Sequence, residues 1–402
     1  MKKILIVATV WGFFDFLKND IKLLQANDFE VHCATNFRNV NKPLQITNIV
    51  KHQIDFARSP LSKSNLKAIR QLSYVMKETS FDIVHCHTPV GGVVARLVAG
   101  KYRKTGTKIF YTAHGFHFYK GAPLINWLVY FPVEWLCSWK TDLQITINRE
   151  DYGRAKKTLH AGKTVYLPGV GIDLQEFNRN TAITRQKKKE LGVSDDETMI
   201  LSVGELSKRK NHEIIIRALQ NCDNRKIRYF IAGKGELKPY LQKLIKDMNL
   251  SGNVQLLGYR TDISELCKAA DFFVMPSHQE GLPVALMEAM ASGLPCICKN
   301  IRGNNDLIVP GKGGYLVDGK NVRSWTAAIE KMMISDRKTM GTFNRNRVRN
   351  FSIDNVQTPL YNFSIKNVIQ DFLMYNKFAN KKIRKKVILY DKLIIQRKNY
   401  NW

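Results

Sequence analysis

The chain has 402 residues, enough for two or three domains of ordinary size. Hydrophobic residues make up 44% and charged residues 24%, a composition that excludes disordered, collagen-like and small disulfide-rich proteins. The 63 basic and 34 acidic side chains give a formal net charge of +29, which predicts a polyanionic partner: nucleic acid, anionic lipid or a phosphorylated substrate.

The first part of the chain alternates short apolar runs with amphipathic stretches. The segment Lys63–Thr79 places its apolar side chains at helical spacing, which predicts a helix packed on a core. Predicted strands cover residues 2–10, 30–35, 81–87, 108–114 and 143–148. This alternation is typical of a parallel sheet covered by helices.

A second alternating set follows a predicted linker at 168–194, which contains a proline, three glycines and a KKK run. Its predicted strands are 198–204, 228–233, 253–258, 271–277, 295–299 and 314–317, and its predicted helices are His212–Leu219, Glu236–Met248, 264–270 and Val284–Ala291. The fold class is therefore α/β, with two Rossmann-like, doubly wound domains facing a cleft. We expect domains at 1–175 and 176–355, then a helical segment with a basic tail at 356–402.

Two further stretches bear on location. The most apolar one, Leu124–Trp139, contains Pro132 and Glu134, so it predicts a membrane-interface or core helix rather than a spanning one. The tail Lys377–Trp402 mixes basic and apolar side chains and is either a frayed terminus or an amphipathic element on an anionic leaflet. The seven cysteines show no C-x-x-C spacing, which predicts a protein of the reducing cytoplasm. The N-terminal apolar run is short and is followed at once by Asp15, which predicts a first strand and not a signal peptide.

The richest stretch for chemistry is Met275–Pro295, MPSHQEGLPVALMEAMASGLP. Glu280 ends a loop, and Pro283 stands where a helix begins, so free amides at the helix start can hold a diphosphate. Glu288 lies about 8 Å further along the helix axis, at about 1.5 Å per residue. Two carboxylates that flank an anion site suit a ligand with hydroxyl groups on both sides of a diphosphate, as in a sugar nucleotide.

The pair Glu280-x7-Glu288 resembles the E-x7-E signature of retaining family 4 glycosyltransferases with the GT-B fold. SVGELSKRKN (202–211), FIAGKGE (230–236), LLGYRTDI (256–263) and AADFFVMPS (269–277) follow in the order and spacing of that family. TAHGFHFY (112–119) resembles its first-domain histidine loop, and LPGVGIDLQEF (167–177) resembles its interdomain linker. The resemblance covers residues 1 to about 355. Within the family, the chain resembles the enzymes of bacterial capsule and exopolysaccharide synthesis.

The resemblance implies a role for each matching residue. Glu280 would contact the hexose hydroxyls, Glu288 the ribose, Lys210 the leaving diphosphate, and His114 the sugar and acceptor. Glu205 stands where many members have an arginine, and Arg209 is a candidate substitute. The implied donor-contacting set is Gly12, Gly204, Arg209, Lys210, Gly233, Tyr259, Arg260, Glu280, Gly281, Leu282, Pro283 and Glu288.

Simpler interpretations stand beside these roles. The two glutamates and Lys210 could be solvated surface groups, His114 and His117 could be structural, and the Gly233-x-Gly235 pattern fits a plain turn as well as a nucleotide loop. The pair His85 and His87 lacks a third metal ligand and fits strand-end packing or contact with the substrate. No D-x-D motif occurs, so we expect no metal and no other cofactor, with protein cations stabilising the diphosphate.

The expected function is transfer of a sugar, with retention, from a nucleotide sugar such as a UDP-sugar to a lipid-diphosphate-linked saccharide. The charge and the basic tail predict an enzyme bound peripherally to the anionic inner face of the cell membrane. A sugar-nucleotide epimerase with the same fold and a catalytically inactive polymerase partner are alternatives. A nucleic-acid-binding protein is a third alternative, although no helix-turn-helix, RNP or zinc pattern supports it, and we expect no nucleic-acid partner.

Overall fold

The computed structural model describes residues 1–38, 46–60, 62–178, 181–222, 226–319 and 321–356. Two parallel sheets lie within one compact unit that spans Met1–Gln357. The predicted boundaries at 175 and 355 stay predictions, and the predicted helical segment and basic tail lie outside the described residues from position 357 on.

The first sheet has seven strands in the order β3-β2-β1-β4-β5-β6-β7, and every pairing is parallel. The strands are β1 (Lys2–Val10), β2 (Phe29–Asn36), β3 (Ile49–Gln53), β4 (Ile83–His87), β5 (Lys108–Ala113), β6 (Leu143–Thr146) and β7 (Lys163–Tyr166). The central strands are buried on both faces, which explains their continuous apolar runs.

Helices cover both faces of this first sheet, and together they form the first lobe. They are α1 (Lys18–Gln25), α2 (Ser64–Glu78), α3 (Pro89–Ala99), α4 (Leu124–Ser138) and α5 (Arg149–Thr158), with 3-10 turns at Trp11–Leu17 and Gly100–Thr105. Asn148 caps α5 by accepting a hydrogen bond from the backbone N–H of Asp151.

The second sheet has six parallel strands in the order β10-β9-β8-β11-β12-β13. They are β8 (Thr198–Val203), β9 (Ile227–Ala232), β10 (Val254–Gly258), β11 (Phe272–Met275), β12 (Cys296–Lys299) and β13 (Gly314–Val317). The second lobe adds α6 (Thr181–Glu190), α7 (His212–Gln220), α8 (Lys238–Asp247), α9 (Ile263–Ala269), α10 (Val284–Ala291), α11 (Asn304–Leu307), α12 (Val322–Met333) and α13 (Arg337–Arg347), with a 3-10 turn at Val348–Phe351.

The strand order reverses once in each sheet, and this fixes where a ligand can bind. The reversal lies between β1 and β4 in the first lobe and between β8 and β11 in the second. Loops that leave neighbouring strands at such a point diverge to opposite faces and open a crevice at the carboxyl ends of the strands. The loops after β8 and β11 carry Lys210 and Glu280, so the fold brings the predicted donor residues to this crevice.

The predicted linker at 168–194 contains a helix that the sequence did not predict, since α6 occupies Thr181–Glu190. The KKK run that suggested a solvated linker lies inside this helix. The Lys187 side chain is buried, and its ammonium contacts Glu190 at 2.6 Å, Asp262 at 2.7 Å and Glu265 at 2.9 Å. Its charge is therefore compensated inside the second lobe.

Helix α4 corresponds to the apolar stretch that sequence alone left between a core helix and an interface helix. Its inner face carries Glu134, which is buried and contacts Arg96 of α3 at 2.8 Å. The Arg96 guanidinium lies 3.8 Å from the ring centroid of Tyr111, whose hydroxyl donates to Glu134 at 3.1 Å. Its outer face is apolar and exposed, and in the described part of the chain no helix is long and apolar enough to span a membrane.

Candidate active site

The centre of the candidate site is an ion pair between two loops of the second lobe. The Lys210 ammonium lies 2.7 Å from Oε1 of Glu280, and the Arg209 guanidinium lies 3.4 Å from the same oxygen. The backbone holds these loops together, since the N–H of His278 donates to the carbonyl of Arg209 at 2.8 Å. Two cations and one carboxylate therefore share the reversal point of the second sheet.

Glycines let the loops of this crevice approach each other. A methyl group on Gly233 would lie 1.8 Å from the carbonyl oxygen of Gly204, and one on Gly235 would lie 2.3 Å from that of Leu206. A methyl group on Gly204 would lie 3.1 Å from Cε of Lys210. The Gly233-x-Gly235 pattern thus permits backbone-to-backbone packing that positions the Lys210 loop.

Helix α10 begins where the sequence predicts, with Pro283 at its N-cap and Leu282 buried before it. Glu288 lies within this helix. Burial, together with the smaller effect of the nearby Glu176 carboxylate, raises the pKa of the Glu288 carboxyl to about 7. A carboxyl group with this pKa can both donate and accept hydrogen bonds near neutral pH, which suits recognition of a diol.

The first lobe contributes a buried histidine cluster beside the crevice. His114 follows β5, and its Nε2 lies 3.1 Å from Nδ1 of His87 at the end of β4. Phe13 packs edge-on against the His114 ring, with 4.7 Å between ring centroids. Burial lowers the pKa of His114 to about 4, so its imidazole is neutral at physiological pH.

The two lobes touch at the loops that carry Glu280 and His114. A methyl group on Gly281 would lie 1.9 Å from the carbonyl oxygen of His114, and one on Gly115 would lie 3.1 Å from Cα of Gly281. The Gly281 loop of the second lobe is therefore in direct backbone contact with the histidine loop. This contact brings the loop of the predicted sugar-binding carboxylate, Glu280, against the loop of the predicted sugar-side histidine, His114.

Sequence reasoning missed Arg302, which joins these two loops. The guanidinium is buried and donates to the carbonyl of Glu280 at 3.1 Å, the carbonyl of Phe116 at 2.9 Å and the carboxylate of Asp151 at 2.7 Å. It also lies over the Tyr119 ring, 4.6 Å from its centroid. No local pattern marks Arg302, because its partners are more than 150 positions away or are backbone atoms.

Other described residues that the sequence singled out do not contact the Lys210–Glu280 pair. Gly12 is exposed in the 3-10 turn after β1, next to Phe13. Tyr259 is 60% exposed, with the Lys234 ammonium 5.4 Å from its ring centroid. The Arg260 guanidinium contacts Asp262 and Glu190 instead of the Lys210–Glu280 pair. Glu205 is exposed. His117 is half-buried, and its ring stacks on Tyr130.

Comparison with known proteins agrees with this geometry. Residues 183–347 match the family described as "Glycosyl transferases group 1", and residues 3–148 match "Glycosyl transferase 4-like". The putative glycosyltransferase EpsD of Bacillus subtilis is 38% identical over 337 residues, which cover 82% of this chain and 87% of that protein. The chain belongs to the group 1 glycosyltransferase family. It is therefore a glycosyltransferase, and its fold is GT-B.

Two other similar proteins extend the comparison. The UDP-Gal:alpha-D-GlcNAc-diphosphoundecaprenol alpha-1,3-galactosyltransferase of Escherichia coli is 32% identical over 290 residues, which cover 70% of this chain and 73% of that enzyme. The structure of Anabaena Alr3699/HepE in complex with UDP-glucose superposes with a TM-score of 0.76 at 17% identity, over 90% of this chain and 99% of that one. The second likeness shows the shared fold of this glycosyltransferase.

Proposed function

We propose that this glycosyltransferase moves a sugar from a UDP-sugar to a lipid-diphosphate-linked saccharide during assembly of a cell-surface polysaccharide, with retention of configuration. The name of the E. coli relative supports a lipid-linked acceptor, and the UDP-glucose complex of the Anabaena protein supports a uridine donor. The assignment of donor residues follows the family motifs set out above.

The observation that carries this proposal is the 2.7 Å contact between Lys210 and Glu280 at the reversal point. Cleavage of a glycosyl–phosphate bond builds negative charge on the diphosphate and positive charge on the sugar. An ammonium group and a carboxylate in contact match these two charges on either side of the bond that breaks. Lys210 and Arg209 would hold the diphosphate, while Glu280 would accept hydrogen bonds from the hexose.

Retention without a dedicated nucleophile fits the chemistry of the described groups. Glu280 is already paired with two cations, and His114 is neutral because its pKa is lowered. We propose front-face attack, in which the acceptor hydroxyl approaches from the side of the departing diphosphate. A diphosphate oxygen takes the hydroxyl proton, and His114 orients the sugar by a hydrogen bond.

The test is a pair of lysine variants in one loop. Lys210→Ala should lower kcat for sugar transfer by about 10²- to 10³-fold, the usual loss when one charge-stabilising donor is removed. Lys208→Ala removes an exposed cation two residues earlier and should leave kcat within about twofold. Product analysis without acceptor separates the alternatives, because an epimerase converts its nucleotide sugar without one. Near-normal transfer by Lys210→Ala would refute the assignment.

We also propose that the enzyme acts at the anionic inner face of the cell membrane. The net charge of +29 and the basic tail at 377–402 support this location. Co-sedimentation of the full chain and of a chain ending at 376 with anionic vesicles tests the part played by the tail. Equal binding of both chains would contradict a role for it.

A further inference from the structure

The first lobe contains a cavity of about 690 Å³ that the donor site does not use. It lies between α2, α3 and α4 and is large enough for an extended apolar ligand, since cavities of about 300–1,000 Å³ enclose drug-sized molecules. Nine of its twenty lining residues are valine, leucine or isoleucine. These side chains are Val10, Leu66, Ile69, Val90, Val93, Val94, Leu97, Val129 and Val133.

This lining does not suit a saccharide, which needs many hydrogen-bond partners, but it suits a hydrocarbon chain. Four of the lining side chains, Leu66, Leu97, Val129 and Val133, are also 38% to 62% exposed. They lie where the cavity meets the protein surface, so its opening is itself apolar.

The surface around the opening is the outer face of α4. Between residues 124 and 139, eight large apolar side chains are at least 37% exposed, and they form a patch rather than isolated residues. They are Leu124, Ile125, Leu128, Val129, Val133, Trp135, Leu136 and Trp139. The single charged residue of the helix, Glu134, points inward to Arg96, while Trp127, Tyr130 and Phe131 pack on the core, so the outer face of α4 carries no charged side chain. A helix on the surface of a water-soluble domain normally has its charged side chains on the outer face.

Cations lie near both ends of this patch. Lys120 precedes α4, and Lys101, Arg103 and Lys104 are exposed beside its C-terminal end, where Arg103 donates to the carbonyl of Trp139 at 3.0 Å. An apolar helix face with tryptophans at one end and lysines around it matches the interface of an anionic bilayer.

The inner end of the cavity lies beside the candidate active site. Thr9 and Thr88 line it, and their hydroxyls are 2.6 Å apart. Thr88 directly follows His87, which contacts His114. Exposed Arg58 and Lys63 line the same cavity and can neutralise a diphosphate. A single path therefore joins the apolar face of α4 to the reacting end of the first lobe.

We propose that this cavity binds the hydrocarbon chain of a prenyl-diphosphate-linked acceptor, which enters from an anionic bilayer in contact with the outer face of α4. This inference rests on the proposed lipid-linked acceptor and adds a binding site for its chain. The chain lies between α2, α3 and α4, its diphosphate lies near Arg58 and Lys63, and its saccharide extends past Thr88 toward His114.

The first experiment measures chain binding without catalysis. Calorimetry with the full-length protein compares farnesyl diphosphate with inorganic diphosphate, and we expect the former to bind at least about 100-fold more tightly, since each buried methylene adds about fourfold. Val93→Trp fills the cavity and should remove at least about tenfold of that gain. Leu66→Glu places a charge at the exposed opening, where folding is unaffected, and should act likewise.

Two results would overturn the cavity assignment. One is displacement of farnesyl diphosphate by UDP, which would place the probe at the Lys210 site. The other is equal affinity of wild type, Val93→Trp and Leu66→Glu, each checked for a normal melting temperature. The calorimetric experiment involves no sugar transfer, so a negative result in it would leave the proposed reaction untouched. Conversely, a wild-type protein that binds farnesyl diphosphate in the cavity but transfers no sugar would refute the proposed reaction and not the cavity.

The second experiment tests the bilayer contact. Leu128→Gln with Leu136→Gln alters two side chains of α4 that are 74% and 60% exposed, and Ile334→Gln is the matched control at 89% exposure in the second lobe. With vesicles of phosphatidylglycerol and phosphatidylcholine, the double variant should bind at least about tenfold more weakly than the control. Equal binding of both variants would overturn the proposed contact.

Discussion

Gly281 is the position at which one added methyl group tests the inter-lobe geometry. In Gly281→Ala the new carbon would lie 1.9 Å from the carbonyl oxygen of His114, whereas real Cβ contacts essentially never fall below 3.0 Å. The two loops must therefore separate by at least about 1.1 Å. A misplacement of about 1 Å costs about 100-fold in rate when a site works by orientation, so kcat for transfer should fall by about that factor.

The assay compares Gly281→Ala with Gly252→Ala, where a methyl group would meet nothing within 4 Å. Both variants should melt like the wild type, because separating the loops relieves the strain without opening either core. The Kd for UDP should change by less than about threefold, since the methyl group contacts the His114 loop and the loss belongs to the transition state. Wild-type kcat in Gly281→Ala would refute the claim that these loops act in contact.

Two other predictions concern buried charge. The pKa of Glu288 is about 7 in the folded chain and about 4.5 in the unfolded one, so its ionisation lowers the stability of the wild type as pH rises from about 4.5 to 7. Glu288→Gln cannot ionise, and urea unfolding should therefore show it to be up to about 3 kcal/mol more stable than the wild type at pH 8. At pH 4.5 the two proteins should have the same free energy of unfolding. A variant destabilised equally at both values would contradict this. Arg96→Met leaves the buried Glu134 carboxylate without its cation and should lower the free energy of unfolding by about 3–5 kcal/mol in the same assay. The control Asp196→Asn breaks the exposed contact with Lys226 and should lower it by less than about 1 kcal/mol. Similar losses in both would contradict the burial argument.

The sequence predicts the six described strands of the second lobe, because they are short apolar runs, and it predicts helices α7 to α10 but not α6, α11, α12 or α13. The bounds of α10, Val284–Ala291, are those that the sequence predicts, since Pro283 and the following Ser-Gly set both ends. In the first lobe, the edge strands β3 and β7 were missed because their partly exposed side chains give no continuous apolar run. Helix α6 was missed because a lysine run indicates solvent unless its acidic partners, 75 and 78 positions away, are known.

The candidate site, too, could be predicted only in part from the sequence. Lys210 and Glu280 are found from local motifs, and the fold brings them to one crevice because parallel strands end at one edge. The neutral state of His114 and the raised pKa of Glu288 depend on burial, which no local pattern reports. The cavity beside α4 depends on how α4 is oriented, and the buried contact between Glu134 and Arg96 that helps to fix this orientation is not visible in any local pattern.

The Arg302 side chain has a practical consequence for altering donor or acceptor choice. Its guanidinium donates to the carbonyl of Glu280 and to the carbonyl of Phe116, and so joins one loop of each lobe. A loop grafted from a related enzyme at 278–283 alone must keep the backbone carbonyl at position 280 in place, or the guanidinium loses one of its three acceptors. Segments 114–119 and 278–283, together with Asp151 and Arg302, therefore form the smallest unit that can be exchanged intact.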